Sequence, residues 1–167
     1  KGMRIINDIN ELDKSISSAK MEAKKFYNDD TIYLEKFFTK PKHIEIQVLA
    51  DAHGNVISLG ERDCSIQRRH QKLIEECPSP NLKESERKKI SDLCIKVIKS
   101  IGYESVGTLE FLYENNNFYF MEMNTRLQVE HPITEMVTQT DLVKEQILIA
   151  NGEKLKLNQN DISMKGH

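Results

Sequence analysis

Polar side chains stand at every second position in one stretch of the last third of the chain. From Glu122 to Pro132 the stretch reads Glu-Met-Asn-Thr-Arg-Leu-Gln-Val-Glu-His-Pro. Successive side chains of a strand point to opposite faces, so the polar ones would share one face if this stretch is extended. They are Glu122, Asn124, Arg126, Gln128 and Glu130. Such a dense polar face predicts a site that holds ions and polar ligands.

The rest of the sequence alternates helix-like and strand-like segments. Apolar spacing of three and four residues predicts helices over residues 9–27, 90–101 and 141–150. Strands are predicted over residues 31–38, 43–50, 56–59, 107–113 and 118–124. Turns at residues 52–55 and 114–117 are predicted to close two hairpins. The charged residues 61–77 are predicted to form a loop or an irregular strand, and Pro78-Ser79-Pro80 a loop. Helices interleaved with hairpins predict an α+β fold, a mostly antiparallel sheet flanked by helices.

Composition excludes several classes of protein. The 167 residues carry a net charge of −2 with both signs mixed, which is not typical of a nucleic-acid-binding protein. No apolar run approaches the roughly 20 residues that a membrane helix needs. The three cysteines, Cys64, Cys77 and Cys94, lack zinc-ligand spacing and are interpreted as small buried side chains in a reducing compartment. The basic start and the unterminated end suggest a fragment of a larger protein.

Two glutamates are placed to face each other across the second hairpin. Glu110 and Glu122 stand six residues either side of Asn116, so a three- or five-residue loop puts them directly opposite. At about 4–5 Å and an effective dielectric near 20, their repulsion is about 3–4 kcal/mol. A Mg²⁺ or Mn²⁺ ion, helped by the oxygen of Asn124 and by nucleotide phosphates, would offset it. A register shifted by one residue would instead leave a solvated strand face.

Positive charge is concentrated in residues 61–72, which read Glu-Arg-Asp-Cys-Ser-Ile-Gln-Arg-Arg-His-Gln-Lys. Arginine and lysine here could bind phosphate or bicarbonate. Nucleic acid is not predicted, because no aromatic residue interleaves with the charges. A solvated charge run paired with its acidic neighbours remains the alternative. Structural roles likewise remain open for His43, His70 and the pair Glu35-Lys36.

Four motifs taken together resemble the biotin carboxylase family of ATP-grasp enzymes. They are Glu35-Lys36, His-Ile-Glu-Ile-Gln at residues 43–47, and the stretches 61–72 and 122–132. The resemblance covers essentially the whole chain. It implies an ATP-grasp core from a larger biotin carboxylase. Residues 1–39 would be part of the lid lobe, without its N-terminal part and glycine-rich loop, and residues 40–167 the C-terminal lobe with the metal and bicarbonate site.

The resemblance also implies an activity and a set of site residues. The reaction is ATP-dependent carboxylation of carrier-bound biotin through carboxyphosphate, the first half-reaction of a biotin-dependent carboxylase. The implied metal ligands are Glu110, Glu122 and Asn124. The implied ATP-binding residues are Gly2, Glu35, Lys36, Phe38, His43, Gln67, His70 and Leu112. The implied bicarbonate-binding residues are Lys72, Arg126, Gln128, Val129 and Glu130. Of these, Glu130 would be the general base, and Lys72 and Arg126 would neutralise charge.

Partners follow from the same resemblance. ATP, Mg²⁺ or Mn²⁺ and biotin on a carrier protein or domain are implied, with bicarbonate, a carboxyltransferase and a homodimer of the full-length enzyme. Neither nucleic acid nor membrane is expected, and the location is the cytoplasm, a mitochondrion or a plastid. The surroundings of residues 59–61 and 75–78 favour acetyl-CoA carboxylase and fatty acid biosynthesis. The chain alone is expected to be inactive. The alternatives are a non-catalytic nucleotide-binding fragment and another ATP-grasp ligase that joins a carboxylate to an amine.

Overall fold

The computed structural model describes residues 2–167. The chain divides after Thr39 into two compact units, which are described separately. The second unit contains the sheet and most of the predicted site residues. Across the described residues, 2–167, no helix is long and apolar enough to cross a lipid bilayer.

The first unit consists mainly of one helix. A 3₁₀ turn over Ile9–Glu11 leads into helix α1, Leu12–Tyr27. The carboxylate of Asp8 accepts a hydrogen bond from the amide nitrogen of Asn10 and caps the start. Asn28 ends the helix at φ 55°, a left-handed conformation that asparagine adopts more readily than most residues. The helix predicted over residues 9–27 is confirmed.

The strand predicted over residues 31–38 is wrong. These residues form neither helix nor strand, and within residues 2–167 no strand pairs with them. The carboxylate of Asp29 accepts a hydrogen bond from the amide nitrogen of Thr31 at 2.8 Å, which sets a local turn at the start of the segment. β-Branched and aromatic residues favour a strand only when a neighbouring strand completes the ladder.

The second unit is built on an antiparallel sheet of five strands. They are β1 Lys42–Ala50, β2 Val56–Arg68, β3 Gln71–Glu76, β4 Ser105–Glu114 and β5 Asn117–Asn124. Their order in the sheet is β3-β2-β1-β4-β5, and every neighbouring pair is antiparallel. The helices are α2 Glu84–Ile101, α3 His131–Thr138 and α4 Leu142–Ala150, followed by a 3₁₀ turn at Gln159–Asp161. The α+β architecture is as predicted.

Each face of strand β1 packs against a different group of helices. One core joins alternate residues of β1, such as Ile44 and Ile46, to Ile98 of α2. The other core joins Leu49 of β1 to Leu142 of α4. Glu45 and Gln47 share the face of Leu49, because side chains alternate along a strand. Two polar residues are thus buried on the face away from α2, as the predicted alternation of β1 requires.

The charged residues 61–77 belong to strands, not to a loop. Strand β2 continues through them to Arg68, and β3 returns from Gln71 after a turn at Arg69 and His70. The β2–β3 register shifts twice between Asp63 and Gln67, so the irregular strand is the prediction that holds. Residues 78–80 form a loop, as predicted. Because β2 pairs with β1 on its other side, its first charged residues lie inside the molecule.

The β4–β5 hairpin places Glu110 opposite Glu122, as predicted, although its loop differs from the prediction. The loop has two residues, Asn115 and Asn116, both at positive φ, rather than three or five. A regular ladder from this loop would put Glu110 opposite Met121. A register shift between Glu110 and Phe111 makes Met121 the extra residue of a bulge and restores the pairing of the two glutamates.

The extended stretch predicted from Glu122 to Glu130 is wrong beyond Asn124. Strand β5 ends there, residues 125–130 are irregular, and α3, which was not predicted, begins at His131. Pro132 occupies the first turn of α3, where a missing amide hydrogen costs nothing. The amide nitrogen of His131 donates to the carbonyl of Gln128, so the chain turns directly before the helix. The polar side chains after Asn124 therefore do not share one strand face.

Candidate functional site

Cross-strand pairing lines up charged residues across the middle of the sheet, on the face away from α2. Arg62 of β2 is opposite Glu45 of β1. Glu45 is opposite Glu110 of β4, which is in turn opposite Glu122 of β5. We call Glu45, Glu110 and Glu122 the carboxylate row. Like charges on directly opposed residues repel each other, so this arrangement requires compensating cations or hydrogen-bond donors.

Glu110 sits at the centre of the site and is only 4% exposed. One carboxylate oxygen accepts hydrogen bonds from Lys72 Nζ at 3.0 Å, Gln128 Nε2 at 2.7 Å and Asn124 Nδ2 at 2.9 Å. The other oxygen lies 2.7 Å from His43 Nε2. Burial alone would raise the pKa of Glu110, but the hydrogen bonds from His43 and Lys72 outweigh it and lower the pKa to about 2. Glu110 is therefore ionised at neutral pH.

His43 is held between Glu110 and Gln67. Its Nδ1 lies 2.9 Å from Gln67 Nε2, which also donates to the carbonyl of Cys64 at 2.7 Å. With an ionised carboxylate on one side and an amide donor on the other, Nε2 donates and Nδ1 accepts. His43 and Gln67, both predicted from the resemblance as ATP-binding residues, are thus brought together beside the carboxylate row.

Lys72 is shared by three carboxylates. Its Nζ lies 2.5 Å from Glu45, 2.6 Å from Glu130 and 3.0 Å from Glu110. Burial would lower the pKa of Lys72, but the neighbouring carboxylates, Glu45 foremost, raise it above its ordinary value. Burial would likewise raise the pKa of Glu130, and the hydrogen bond from Lys72 lowers it. The site therefore holds a fixed cation in contact with an ionised carboxylate.

Arg62, which sequence reasoning missed as a site residue, is fully buried behind this cluster. Its Nε donates to Glu45 at 2.5 Å. Its two other nitrogens donate to Gln47, Thr134, Thr108 and Gln128 at distances of 2.7, 2.9, 3.4 and 3.2 Å. Glu45 was missed as well. A polar residue at every second position of an otherwise apolar β1 is the sequence pattern that could have found it.

The residues predicted to bind a divalent cation through oxygen, Glu110, Glu122 and Asn124, lie on the neighbouring strands β4 and β5. Asn124 Nδ2 lies 2.9 Å from an oxygen of Glu110 and 3.5 Å from one of Glu122, so both carboxylates are near one point. A half-turn of the Asn124 amide would present its oxygen there, the atom that a cation requires. Two sets that include an imidazole or a thiol have ligand atoms within 4.8 Å of one another, namely His43 with Glu45 and Glu110, and Glu45 with Cys64 and Glu130. Oxygen-only ligands suit Mg²⁺ better than sets with imidazole or thiol.

Arg126 and Val129 lie at the surface, unlike Gln128, which is buried. The guanidinium of Arg126 donates to the carbonyl of Leu127 at 3.2 Å, and the side chain of Val129 is 91% exposed. The structure therefore brings Lys72, Gln128 and Glu130 together with Glu110. Arg126 and Val129 belong to the same irregular segment as Gln128 and Glu130.

The other predicted ATP-binding residues are spread over both units. Leu112 pairs with His43 across β1 and β4, and His70 lies exposed in the β2–β3 turn. In the first unit, Gly2 is exposed at φ 88°. Lys36 Nζ lies 5.3 Å from the ring centre of Phe38, and Glu35 is exposed. The second unit thus brings His43, Gln67 and Leu112 close to the carboxylate row.

The sequence matches a class of ATP-binding domains. A family model described as the ATP-binding domain of the carbamoyl-phosphate synthase L chain matches residues 1–158. The chain belongs to this family.

Within that class the similar proteins are biotin carboxylases. The biotin carboxylase of Allochromatium vinosum is 56% identical over the whole chain, which covers 37% of that protein. The biotin carboxylase domain of a thermophilic 2-oxoglutarate carboxylase bound to bicarbonate has a TM-score of 0.95 at 51% identity, over 99% of this chain and 38% of that one. The biotin carboxylase domain dimer of the Hydrogenobacter thermophilus 2-oxoglutarate carboxylase, in complex with MgADP, ADP and bicarbonate, has a TM-score of 0.85 at 51% identity. The match covers 99% of this chain and 37% of that one.

These findings confirm the resemblance that the sequence motifs predicted, and they confirm the fold class. The chain spans only about 37% of the length of the Allochromatium vinosum relative. The activity, substrates and partners of the whole protein are therefore taken up as proposals.

Proposed function

We propose that the protein containing this chain is a biotin carboxylase, which uses ATP and bicarbonate to carboxylate biotin held on a carrier protein. The observation that carries the proposal is the meeting of Lys72, Gln128 and Glu130 around the ionised Glu110. A small anion requires a cation, an amide donor and a base, and Lys72, Gln128 and Glu130 provide them. Glu110, which they surround, is the first carboxylate of the proposed metal site. Similar domains bind MgADP and bicarbonate, which supports the same pairing of ligands here.

The carboxylate row and its neighbours suit a nucleotide with its metal. Glu110 and Glu122, with the oxygen of Asn124, would hold Mg²⁺ or Mn²⁺, which neutralises charge on the phosphates. The ribose and phosphate side is assigned to His43, Gln67 and His70. The adenine side is assigned to Glu35, Lys36, Phe38 and Leu112, with Gly2 from the lid. This assignment takes residues 1–39 as part of the lid lobe and residues 40–167 as the C-terminal lobe.

Bicarbonate would be bound by Lys72, Arg126, Gln128 and the amide of Val129. Glu130 would accept its proton as a bicarbonate oxygen bonds to the γ-phosphorus and ADP leaves. Lys72 and Arg126 would neutralise the charge that develops on carboxyphosphate. Breaking the C–O bond of carboxyphosphate then gives CO₂ and phosphate. Biotin N1 gives its proton to that phosphate and bonds to CO₂. The lowered pKa of Glu130 keeps its carboxylate ionised but also makes it a weaker base, so the proposed base role rests on its position beside Lys72.

The partners of the reaction follow from its chemistry. Biotin would arrive on a carrier protein or domain, and a carboxyltransferase would take the carboxyl group onward. A homodimer of the full-length protein is supported by the domain dimer of the similar Hydrogenobacter thermophilus protein. Three buried cysteines without a disulfide suit a reducing compartment, and we assign the protein to the cytoplasm, a mitochondrion or a plastid.

The final acceptor of the carboxyl group is proposed to be acetyl-CoA, which would place the protein in fatty acid biosynthesis. The support is the sequence surrounding residues 59–61 and 75–78. The name of the similar 2-oxoglutarate carboxylase domain gives a different acceptor, so the choice needs a direct test. Transfer of labelled carboxyl from bicarbonate, measured with the cognate carboxyltransferase and each acyl acceptor in turn, tests this choice. Labelling of pyruvate or another acyl-CoA in preference to acetyl-CoA would overturn it.

ADP formation by the full-length protein tests the proposed activity. We expect it to require bicarbonate and MgATP and to rise with free biotin. Glu130→Gln should lower kcat by about 10²–10⁴-fold, because a positioned base is lost. Glu104→Gln, at an exposed residue outside the site, is the matched control and should leave kcat unchanged. Turnover that ignores bicarbonate and responds to an amino acid would favour a ligase that joins a carboxylate to an amine.

A further inference from the structure

Arg62 has no exposed surface, and every N–H group of its guanidinium has an acceptor. An arginine side chain carries five N–H donors in a rigid fork. Those of Arg62 are directed at Glu45, Gln47, Thr134, Thr108 and Gln128. The acceptors belong to β1, β4, α3 and the irregular segment before α3. A residue of this kind fixes the relative positions of the elements that it joins.

Stability alone does not account for such a buried cation. Removing a guanidinium from water is costly, and well-packed apolar residues often replace buried ion pairs without loss of stability. A second arginine–glutamate pair, in which the glutamate is buried and the arginine partly buried, serves for comparison. Arg87 of α2 binds Glu61 through Nε at 2.7 and 2.9 Å, on the opposite face of the sheet. None of the acceptors of Arg87, which are Glu61, Glu84 and the carbonyl of Ser79, touches the candidate site.

Two acceptors of Arg62 are side chains with a second functional atom, and in both cases that atom lies in the site. Glu45 uses one oxygen for Arg62 and the other for Lys72, at 2.5 Å each. Gln128 uses its oxygen for Arg62 at 3.2 Å and its nitrogen for Glu110 at 2.7 Å. The contact with Arg62 therefore decides which end of the Gln128 amide faces the site, and it holds Glu45 where Lys72 can reach it.

We propose that Arg62 is the positioning residue of the bicarbonate site, acting directly on the Gln128 amide and, through Glu45, on Lys72. This inference deepens the proposed function and rests on it. Arg62 touches neither substrate nor the reacting atoms. Its fork sets the orientation of one amide donor and the position of one cation. Arg62 contacts Glu45 and Gln128 through two separate nitrogens, Nε and Nη2, and lysine, whose charge sits on a single nitrogen, cannot reproduce that spacing.

The kinetics of the full-length protein with Arg62→Lys test the proposal. We expect the KM for bicarbonate to rise about tenfold or more, the loss typical of removing a partner that orients a ligand, while the KM for ATP changes less than about threefold. Arg87→Lys is the matched control. It breaks a partly buried arginine–glutamate pair on the other face of the sheet, so it reports the kinetic effect of lost stability alone.

The outcomes separate this inference from the proposed function. Wild-type protein without bicarbonate-dependent ADP formation would overturn the proposed function itself. An active wild type, with Arg62→Lys and Arg87→Lys giving the same KM for bicarbonate, would overturn only the role of Arg62. If Arg62→Lys does not fold by circular dichroism, Glu45→Gln interrupts the same connection at the next residue. That variant should then raise the KM for bicarbonate selectively, and an unchanged value would overturn the positioning role.

Discussion

Charged residues that look alike in the sequence have different environments in the fold. Arg62, Arg68 and Arg69 occur within eight residues of each other, yet only Arg62 is buried. Its burial depends on β2 pairing with β1, a contact between distant parts of the chain that no local pattern encodes. Glu110 differs in this respect. Its pairing with Glu122 was predicted from their spacing about the hairpin turn, although the two-residue loop and the bulge that produce the pairing were not.

The thiol of Cys94 gives a prediction at the level of one residue. It lies in the core between α2 and the sheet, and burial raises its pKa to about 12. At pH 8 only about 10⁻⁴ of this thiol is ionised, and the thiolate is the reactive form. Labelling with an excess of a thiol reagent should therefore be slow in the native protein and fast in urea. Mass spectrometry of the Cys94 peptide measures both rates, and rapid native labelling would contradict the buried position.

At the scale of elements, the turn between β1 and β2 depends on Asp51. Its carboxylate accepts hydrogen bonds from the amide nitrogens of His53, Asn55 and Leu155 at 2.9, 2.9 and 2.8 Å, and from the Asn55 side chain at 2.7 Å. One carboxylate thus fixes the hairpin and attaches to it the segment that follows α4. Burial would raise the pKa of Asp51, but these hydrogen bonds lower it below 3.8.

Asp51→Asn should lower the free energy of unfolding by about 1–3 kcal/mol at pH 7, since charged hydrogen bonds are lost. Because the folded pKa is lowered, the stabilisation by Asp51 is present above pH ~4 and is lost as the pH falls through the folded value. Urea titrations of both proteins between pH 7 and pH 3 measure the difference. A difference that persists undiminished at pH 3 would show that the charge of Asp51 does not provide it.

Local patterns predicted most elements, and long-range pairing explains the errors. Helices α1, α2 and α4 follow from apolar spacing, and Gly102 at φ 63° ends α2. Residues 31–38 have the composition of a strand and form none. Residues 61–76, predicted as a loop or an irregular strand, continue β2 and form β3, because β1 supplies a partner for β2. The bulge at Met121 is invisible in the sequence, although it decides the alignment of Glu110 with Glu122.

At the scale of the whole molecule, the site depends on all five strands and on the segment that connects β5 to α3, with β2 supplying Gln67. Strand β3 supplies Lys72, β1 supplies Glu45, β4 supplies Glu110, and β5 supplies Glu122. The sequence predicted which residues could bind ligands but not the buried support provided by Arg62. The proposed anion site was implied only by the family resemblance, because Gln128 and Glu130 lie outside any regular element whose geometry can be predicted.

The central claim is that Glu110 and Glu122 bind a divalent cation that accompanies a nucleotide. Isothermal titration of the full-length protein with ADP, with and without Mg²⁺, tests it most directly. Wild type and the Glu104→Gln control should bind ADP more tightly when Mg²⁺ is present. Glu122→Gln should reduce that gain by about tenfold or more, because one of two carboxylate ligands is lost. An equal gain from Mg²⁺ in Glu122→Gln would contradict the account.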